Sequence, residues 1–394
     1  MYDVIVVGGG PVGSYVAFRL AGMGHRVVVL ERKKRIGEKV CCTGIIGMEC
    51  VSSFAIESDV ILRQVNSARL FSPSGNLLWL RREKPQACIL DRAALDQAMA
   101  NRAQRQGAEY VLNSPVRDVK VEADRVKVEL FSQNKRINME ARVLAIATGF
   151  GSKLAEKLGS GDFGDFVIGA QAEVMTTGAE EVEVYFGRQN APGFFGWLVP
   201  TMPKMAKVGL LSRRHPEIHL GKLLKSLLAQ GKIVSAEAEL SCGGIPLKPL
   251  GKTFGERFVV VGDAAGQVKP TSGGGIYYGL LCAEIAADTL HQALQGDDLS
   301  AKSLGKYERG WRRKLGWELK IGYWARQIFE RLSDRQLDRI FDIIKANGID
   351  EALLKAEDLS FDWHGKAILA LLGRTVIGKT IGVLKLPSKA AKDT

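Results

Sequence analysis

Residues 2–32 read YDVIVVGGGPVGSYVAFRLAGMGHRVVVLER, and this stretch decides the fold. Tyr2 to Val7 is a short run rich in β-branched residues, the pattern of a buried parallel strand. Gly8, Gly10 and Gly13 follow as G-x-G-x-x-G. Ser14 to Met23 reads as a helix and Arg26 to Leu30 as a second strand, which ends on Glu31. That is one βαβ unit with an acid at the tip of its second strand. Gly8 makes the tight turn, Gly10 lets the backbone approach a pyrophosphate, and Gly13 lets helix and strand pack closely. The helix start favours phosphate charge, and Glu31 accepts from a ribose hydroxyl. The motif implies a dinucleotide without choosing between NAD and FAD.

Working outward, Glu31 is followed by RKKRIGEKVCCTG, a basic loop with adjacent Cys41 and Cys42 that leaves the strand tip beside the dinucleotide. Residues 67–81 read as a hairpin turning at Ser74-Gly75-Asn76. A helix is expected over 93–106, three or four alternating strands over 109–140, and a buried strand over 141–148. A dinucleotide fold whose crossover is β-structure is the layout of glutathione-reductase and hydroxylase-type FAD-binding folds. Residues 167–240 alternate as strands around a helix near 217–230, and enclose the aromatic run APGFFGWLVP at 191–200. That run suits either an ordinary core strand or one wall of an apolar pocket. Phe258 to Val261 returns as a buried strand. GDAAG at 262–266, PTSGGGI at 270–276 and a helix over 276–295 then form a second phosphate or flavin cradle.

The expected class is α/β, a Rossmann-like FAD-binding domain with a mixed β-sheet substrate domain and a helical C-terminal region. The boundaries are 1–160 with 241–300 for the cofactor, 161–240 for the substrate and 301–394 for the helices. A stripe from Leu304 through Tyr307, Trp311 and Leu315 to Leu332 has helical spacing and reads as core. Residues 366–386 are apolar with spaced cations, which suits an interfacial helix or packing on the protein body.

Among 394 residues, 55 Lys and Arg against 43 Asp and Glu leave a net charge of +12. No nucleic-acid-binding pattern accompanies it, so an anionic membrane surface, a phosphorylated ligand or a plain solvated surface fits better. The first strand starts at residue 2, leaving no signal peptide, and no run of 18 apolar residues would cross a membrane. A cytoplasmic protein, peripheral at the inner face of the membrane, is expected. The 6 cysteines then read as thiols, and no Cys or His spacing suggests a metal.

Together GGGPVG (8–13), IGEKVCCTG (36–44), LDR (90–92), APGFFGWLVP (191–200) and GDAAGQVKPTSGGGI (262–276) resemble the geranylgeranyl reductases. These are FAD-dependent enzymes that saturate isoprenoid double bonds, and they include archaeal digeranylgeranylglycerophospholipid reductases. The resemblance spans nearly the whole chain. It implies FAD contacts at Val12, Glu31, Cys42, Thr43, Arg92, Val116, Asp263, Gly275 and Ile276, with Arg32 and Gly274 completing the set. Glu31 would hold the adenosine ribose, Arg92 the pyrophosphate, Val116 the adenine and Asp263 the ribityl chain. The helix starting at Ile276 would stabilise the reduced flavin.

Reducing an isolated alkene takes a hydride and a proton, so a positioned acid is expected. The resemblance puts it in the cysteine loop. Cys42 is preferred over Cys41 because it begins a C-x-G pattern with Thr43 and Gly44; a small hydrophobe lining the site is the plainer alternative. Archaeal members carry Tyr-x-Trp-x-Phe-Pro where this chain has Phe195, Trp197, Val199 and Pro200. Phe195, Trp197 and Pro200 are the expected substrate contacts, with an isoprenoid lipid as substrate. No second GxGxxG predicts a resident nicotinamide, so NADPH, ferredoxin or another carrier would deliver electrons. The rivals are a flavin monooxygenase of the aromatic hydroxylase type, an electron-transfer flavoprotein linked to quinone, and a non-catalytic FAD module. Reduction of a menaquinone side chain would use the same residues.

Overall fold

Tyr2–Val7 pairs in parallel with Val27–Leu30 on one side and with Lys135–Ile146 on the other. The helix Pro11–Gly22 makes the crossover between the first two strands. These elements belong to a computed structural model that describes residues 1–132, 135–356 and 360–372. The chain divides into two compact units. The first comprises residues 1–40, 92–166 and 245–316; the second comprises 41–91, 167–244 and 317 onward.

The first unit is built on an eight-stranded sheet. Its central strands are Phe258–Val260, Lys135–Ile146, Tyr2–Val7, Val27–Leu30 and Glu109–Val111, in that order. Val4, Ile5, Val6, Val28, Val29, Leu144, Ala145 and Ile146 are fully buried, as strands covered on both faces require. The strands foreseen over 109–148 form, but the last two merge. Lys135–Ile146 pairs antiparallel with Val126–Ser132 at its start and parallel with Tyr2–Val7 at its end. One long strand thus serves both the β-crossover and the central sheet.

In the second unit a seven-stranded sheet runs Leu240–Pro246, Phe166–Met175, Met205–Ser212, Phe195–Pro200, Val182–Phe186, Ser67–Phe71, Leu77–Arg81. The hairpin foreseen at 67–81 forms. It joins this sheet through parallel pairing of Ser67–Phe71 with Val182–Phe186, more than 110 residues away in sequence. Pro216–Ala229 packs Leu220, Leu223, Leu224 and Leu227 inward as a buried row. Ile45–Gly47, Ala87–Leu90 and Ile61–Val65 form a small third sheet, which the sequence reading did not foresee.

The stripe at 304–332 lies on the helix Ala301–Arg331, where Leu304, Tyr307, Trp311 and Leu315 are fully buried. Helix Asp334–Ala346 starts at a reciprocal capping box between Ser333 and Gln336. Of the apolar segment 366–386, only the helix Gly365–Leu372 is described; residues 373–394 lie outside the described residues. No helix among the described residues is long and apolar enough to cross a membrane.

Candidate active site

The glycine loop of the first unit shows why each glycine is there. A Cβ on Gly8 would sit 2.3 Å from the Ala147 carbonyl oxygen, and its φ of +110° disfavours any side chain. A Cβ on Gly13 would lie 2.0 Å from the Gly8 carbonyl oxygen, so this position keeps helix and strand in contact. Gly10 differs: a Cβ there would meet nothing within 4 Å. Protein packing does not demand that glycine. The space is left open, and the helix that Gly10 caps has no side-chain cap and no acid in its first turn. A pyrophosphate fits that open, electropositive start.

Glu31 is 8% exposed. Its Oε2 accepts from the Gly9 N–H at 2.7 Å and its Oε1 from the Lys33 N–H at 2.9 Å. The carboxylate is therefore locked in place, and its remaining lone pairs can take ribose hydroxyls. Arg32 beside it is exposed. The Ser114 N–H donates to the Glu31 carbonyl at 2.8 Å, which fixes the start of the strand Val116–Val121 against this tip. Val116 starts that strand two residues after this bond, a placement that sequence spacing does not reveal.

Residues 262–276 form the second cradle. Phe258–Val260 leads into a 3₁₀ turn, Gly262–Ala265, and Ile276–Gln295 starts from Gly275 with no side-chain cap. Val12 joins the two glycine loops: its methyls occupy the space that a Cβ on Gly262 or Gly279 would need. Asp263 sits over the helix start, since a Cβ on Gly275 would be 2.3 Å from its Oδ1. Burial pushes the Asp263 carboxyl up to about 6, while the Arg92 guanidinium pulls it the other way. Arg92 is itself 8% exposed and donates from Nη2 to Asp96 Oδ1 at 2.6 Å.

Three residues that hold this cradle escaped the sequence reading. Gln267 accepts from the Gly262 N–H at 2.7 Å and donates to the Tyr307 hydroxyl at 2.8 Å. Tyr307 in turn donates to the Val260 carbonyl at 2.9 Å. Lys269, 5% exposed, takes the Gly274 carbonyl on its backbone N–H and lies near the rings of Tyr277 and Tyr278. Gln267 and Lys269 are polar residues inside an otherwise small and apolar run, which was the available signal.

Cys41, Cys42 and Thr43 belong to the second unit. The Thr43 hydroxyl donates to Gln171 Oε1 at 3.2 Å. Lys207 Nζ donates to the Cys42 carbonyl at 3.2 Å and to the Thr43 carbonyl at 3.4 Å. Cys41 is half-buried, and a Cβ on Gly243 would lie 3.6 Å from its Sγ. Burial, the largest influence, raises the Cys41 thiol; the Ser241 hydroxyl lowers it, Cys42 pushes it up, and the Lys207 ammonium adds the smallest pull, downward.

The aromatic run becomes the strand Phe195–Pro200 of the same unit. Phe195 and Trp197 have ring centroids 6.1 Å apart, and Phe186 continues the row at 6.1 Å from Phe195. The Trp197 ring lies flat against the strand beside it, where a Cβ on Gly209 would come within 2.5 Å of Cζ2. Ile89, Val182 and Val199 pack around it. Its buried Nε1–H has no hydrogen-bond partner. Pro200 is buried at the end of the strand. A separate groove of about 740 Å³ in this unit is lined by Arg63, Arg69, Arg81 and Glu181 among others, a polar lining unsuited to a hydrocarbon chain.

Two glycine loops, a locked acid and an uncapped helix start define a flavin dinucleotide site, and residues 3–159 match the family of FAD dependent oxidoreductases. FAD is the cofactor of this family. A digeranylgeranylglycerophospholipid reductase of Methanocaldococcus jannaschii is 31% identical over 89% of this chain and 93% of its own. One from Methanothermobacter thermautotrophicus is 30% identical over 86% and 90%. The chain belongs to this geranylgeranyl reductase family. A geranylgeranyl bacteriochlorophyll reductase-like protein of Thermoplasma acidophilum shares the fold, with a TM-score of 0.85 at 24% identity over 97% and 98% of the two chains. A flavin-dependent brominase has a TM-score of 0.69 at 16% identity over 96% and 98%, so the fold reaches into other flavin chemistry.

Proposed function

We propose that this protein saturates isoprenoid C=C bonds in geranylgeranyl chains carried by lipids. The carrying observation is the pair Phe195 and Trp197, partly exposed rings 6.1 Å apart beside the buried Val182 and Val199, in a chain whose relatives are named as reductases of such lipids. Reduced FAD supplies the hydride. Gly10, Glu31, Arg92, Val116 and Asp263 bind and orient the cofactor, Phe195 and Trp197 position the chain while the buried Pro200, on the other face of their strand, only ends it, and Cys42 or its neighbour Cys41 delivers the proton to the second alkene carbon. NADPH, ferredoxin or another carrier reloads the flavin. The lipid substrate and the +12 net charge suit a peripheral contact with an anionic membrane.

The test is anaerobic. The purified yellow protein is reduced with dithionite, geranylgeranyl lipid is added, and flavin reoxidation is followed together with product mass. Reoxidation coupled to a gain of two hydrogens per double bond supports the reading. Reoxidation by oxygen or quinone alone sinks it and favours a monooxygenase or an electron-transfer flavoprotein.

A further inference from the structure

Lys207 lies on the strand Met205–Ser212, the one charged residue of an otherwise apolar run. It is half-buried. Glu173 is its register partner on one neighbouring strand and Val199 on the other. The ammonium nevertheless forms no ion pair with Glu173 or any other carboxylate among the described residues. It donates instead to two neutral acceptors, the carbonyls of Cys42 and Thr43, at 3.2 and 3.4 Å. Held by neutral acceptors alone, the ammonium leaves its charge uncompensated by any carboxylate here. Its hold on the Cys42 and Thr43 carbonyls, with its charge acting on the Cys41 thiol, suggests that the missing negative charge is one that appears during the reaction.

We propose that Lys207 is a positioning residue of the cysteine loop, clamping Cys42 and Thr43 and stabilising the thiolate formed when this loop gives up its proton. The inference rests on reading the loop as proton donor. In that step the S–H bond breaks, the proton forms a C–H bond on one alkene carbon, and the electron pair stays on sulfur. The hydride from the reduced cofactor forms the other C–H bond, leaving the cofactor oxidised, and water returns the proton to sulfur. The groups facing the thiols are Ser241, which donates to the Gln171 carbonyl, Lys207, and the two cysteines themselves. Cys242 donates to Glu217 at 3.5 Å and also feels the charge of Cys41. Lys207 is the one cation in this set, and its downward pull on the Cys41 thiol is smaller than the upward push of burial.

The experiment needs no turnover. The holoenzyme and its Lys207→Met, Lys207→Gln and Lys207→Arg variants are alkylated with iodoacetamide from pH 6 to 10, and modification of Cys41 and Cys42 is read separately by mass spectrometry. Loss of the charge in Lys207→Met and Lys207→Gln is expected to move the Cys41 profile up by about 0.3 pH unit, roughly a twofold smaller thiolate fraction. Lys207→Arg should restore it, and free glutathione alkylated in the same mixture serves as the reference. Lys207→Gln keeps an amide donor for the carbonyls, so it reports on charge if Lys207→Met does not fold. An unchanged profile in either neutral variant with flavin content intact overturns the inference, as does an Arg variant that shifts like the neutral ones. Turnover of Cys41→Ala and Cys42→Ala tests the proton-donor reading separately: full activity in both removes that reading while a shifted alkylation profile still stands.

Discussion

The two units handle their glycines and charges differently. In the first, local sequence and ligand chemistry coincide: Gly8, Gly10 and Gly13 follow one another within six residues, and Glu31 closes the same βαβ unit. In the second, the groups that meet come from far apart. Lys207 reaches Cys42 across 165 residues of sequence, and Gln171 meets Thr43 across 128. A phosphate grip can be built from consecutive backbone N–H groups. A dry surface for a hydrocarbon chain has to be assembled from many strands, because no short segment can bury it alone.

Substitutions in the two units should separate along that line. The largest effect is expected in the glycine loop. Gly10→Ala puts a methyl where the protein has room but a pyrophosphate does not. It should lower FAD affinity by about 100-fold, roughly 3 kcal/mol, with the apoprotein's thermal stability nearly unchanged. Gly13→Ala, which drives a Cβ to 2.0 Å from the Gly8 carbonyl, should lose both flavin and stability. Equal melting losses in the two variants would break the distinction between ligand-demanded and packing-demanded glycine.

The cysteine loop should show the reverse pattern. Cys42→Ala is expected to keep FAD at full occupancy and dithionite reduction at its normal rate, while alkene saturation falls by about 100-fold or more. Single-turnover reoxidation checks it, and unchanged turnover would transfer the role to Cys41 or to no cysteine. Next in size, Trp197→Phe keeps an aromatic face but loses the indole edge over Gly209. It should raise KM for a geranylgeranyl lipid by about tenfold with little change in kcat, about 1.4 kcal/mol of uniform binding.

The last effect, similar in size to that at Trp197, concerns Asp263 and returns to the first unit. Its carboxyl titrates near 6 in the fold, above the ordinary aspartate value of 3.8. Between those two pH values the folded state holds the extra proton, so this group's stabilising contribution falls as pH rises and is lost above about 6. In the apoprotein, Asp263→Asn should therefore raise stability at pH 7 by about 1–2 kcal/mol and leave it nearly unchanged at pH 4. The same variant should bind FAD more weakly if the carboxylate is kept for the cofactor. Melting curves at the two pH values and a flavin titration check both halves.

The sequence by itself determined the βαβ grip, the acid at its tip, the second cradle at 262–276 and the buried stripe from Leu304 to Leu315, because each is carried by residues near one another in the chain. Periodicity reports burial, and glycine spacing reports where the backbone must turn or be approached. Only the tertiary structure decided that Ser114 bonds to the Glu31 tip, that Gln267 and Tyr307 brace the cradle, and that Ser67–Phe71 pairs with Val182–Phe186. It also placed Lys207 under the cysteine loop instead of against its register partner Glu173. Those contacts come from strand register and sheet order, and every residue on a pleated strand has the same local pattern whichever strand it lies beside.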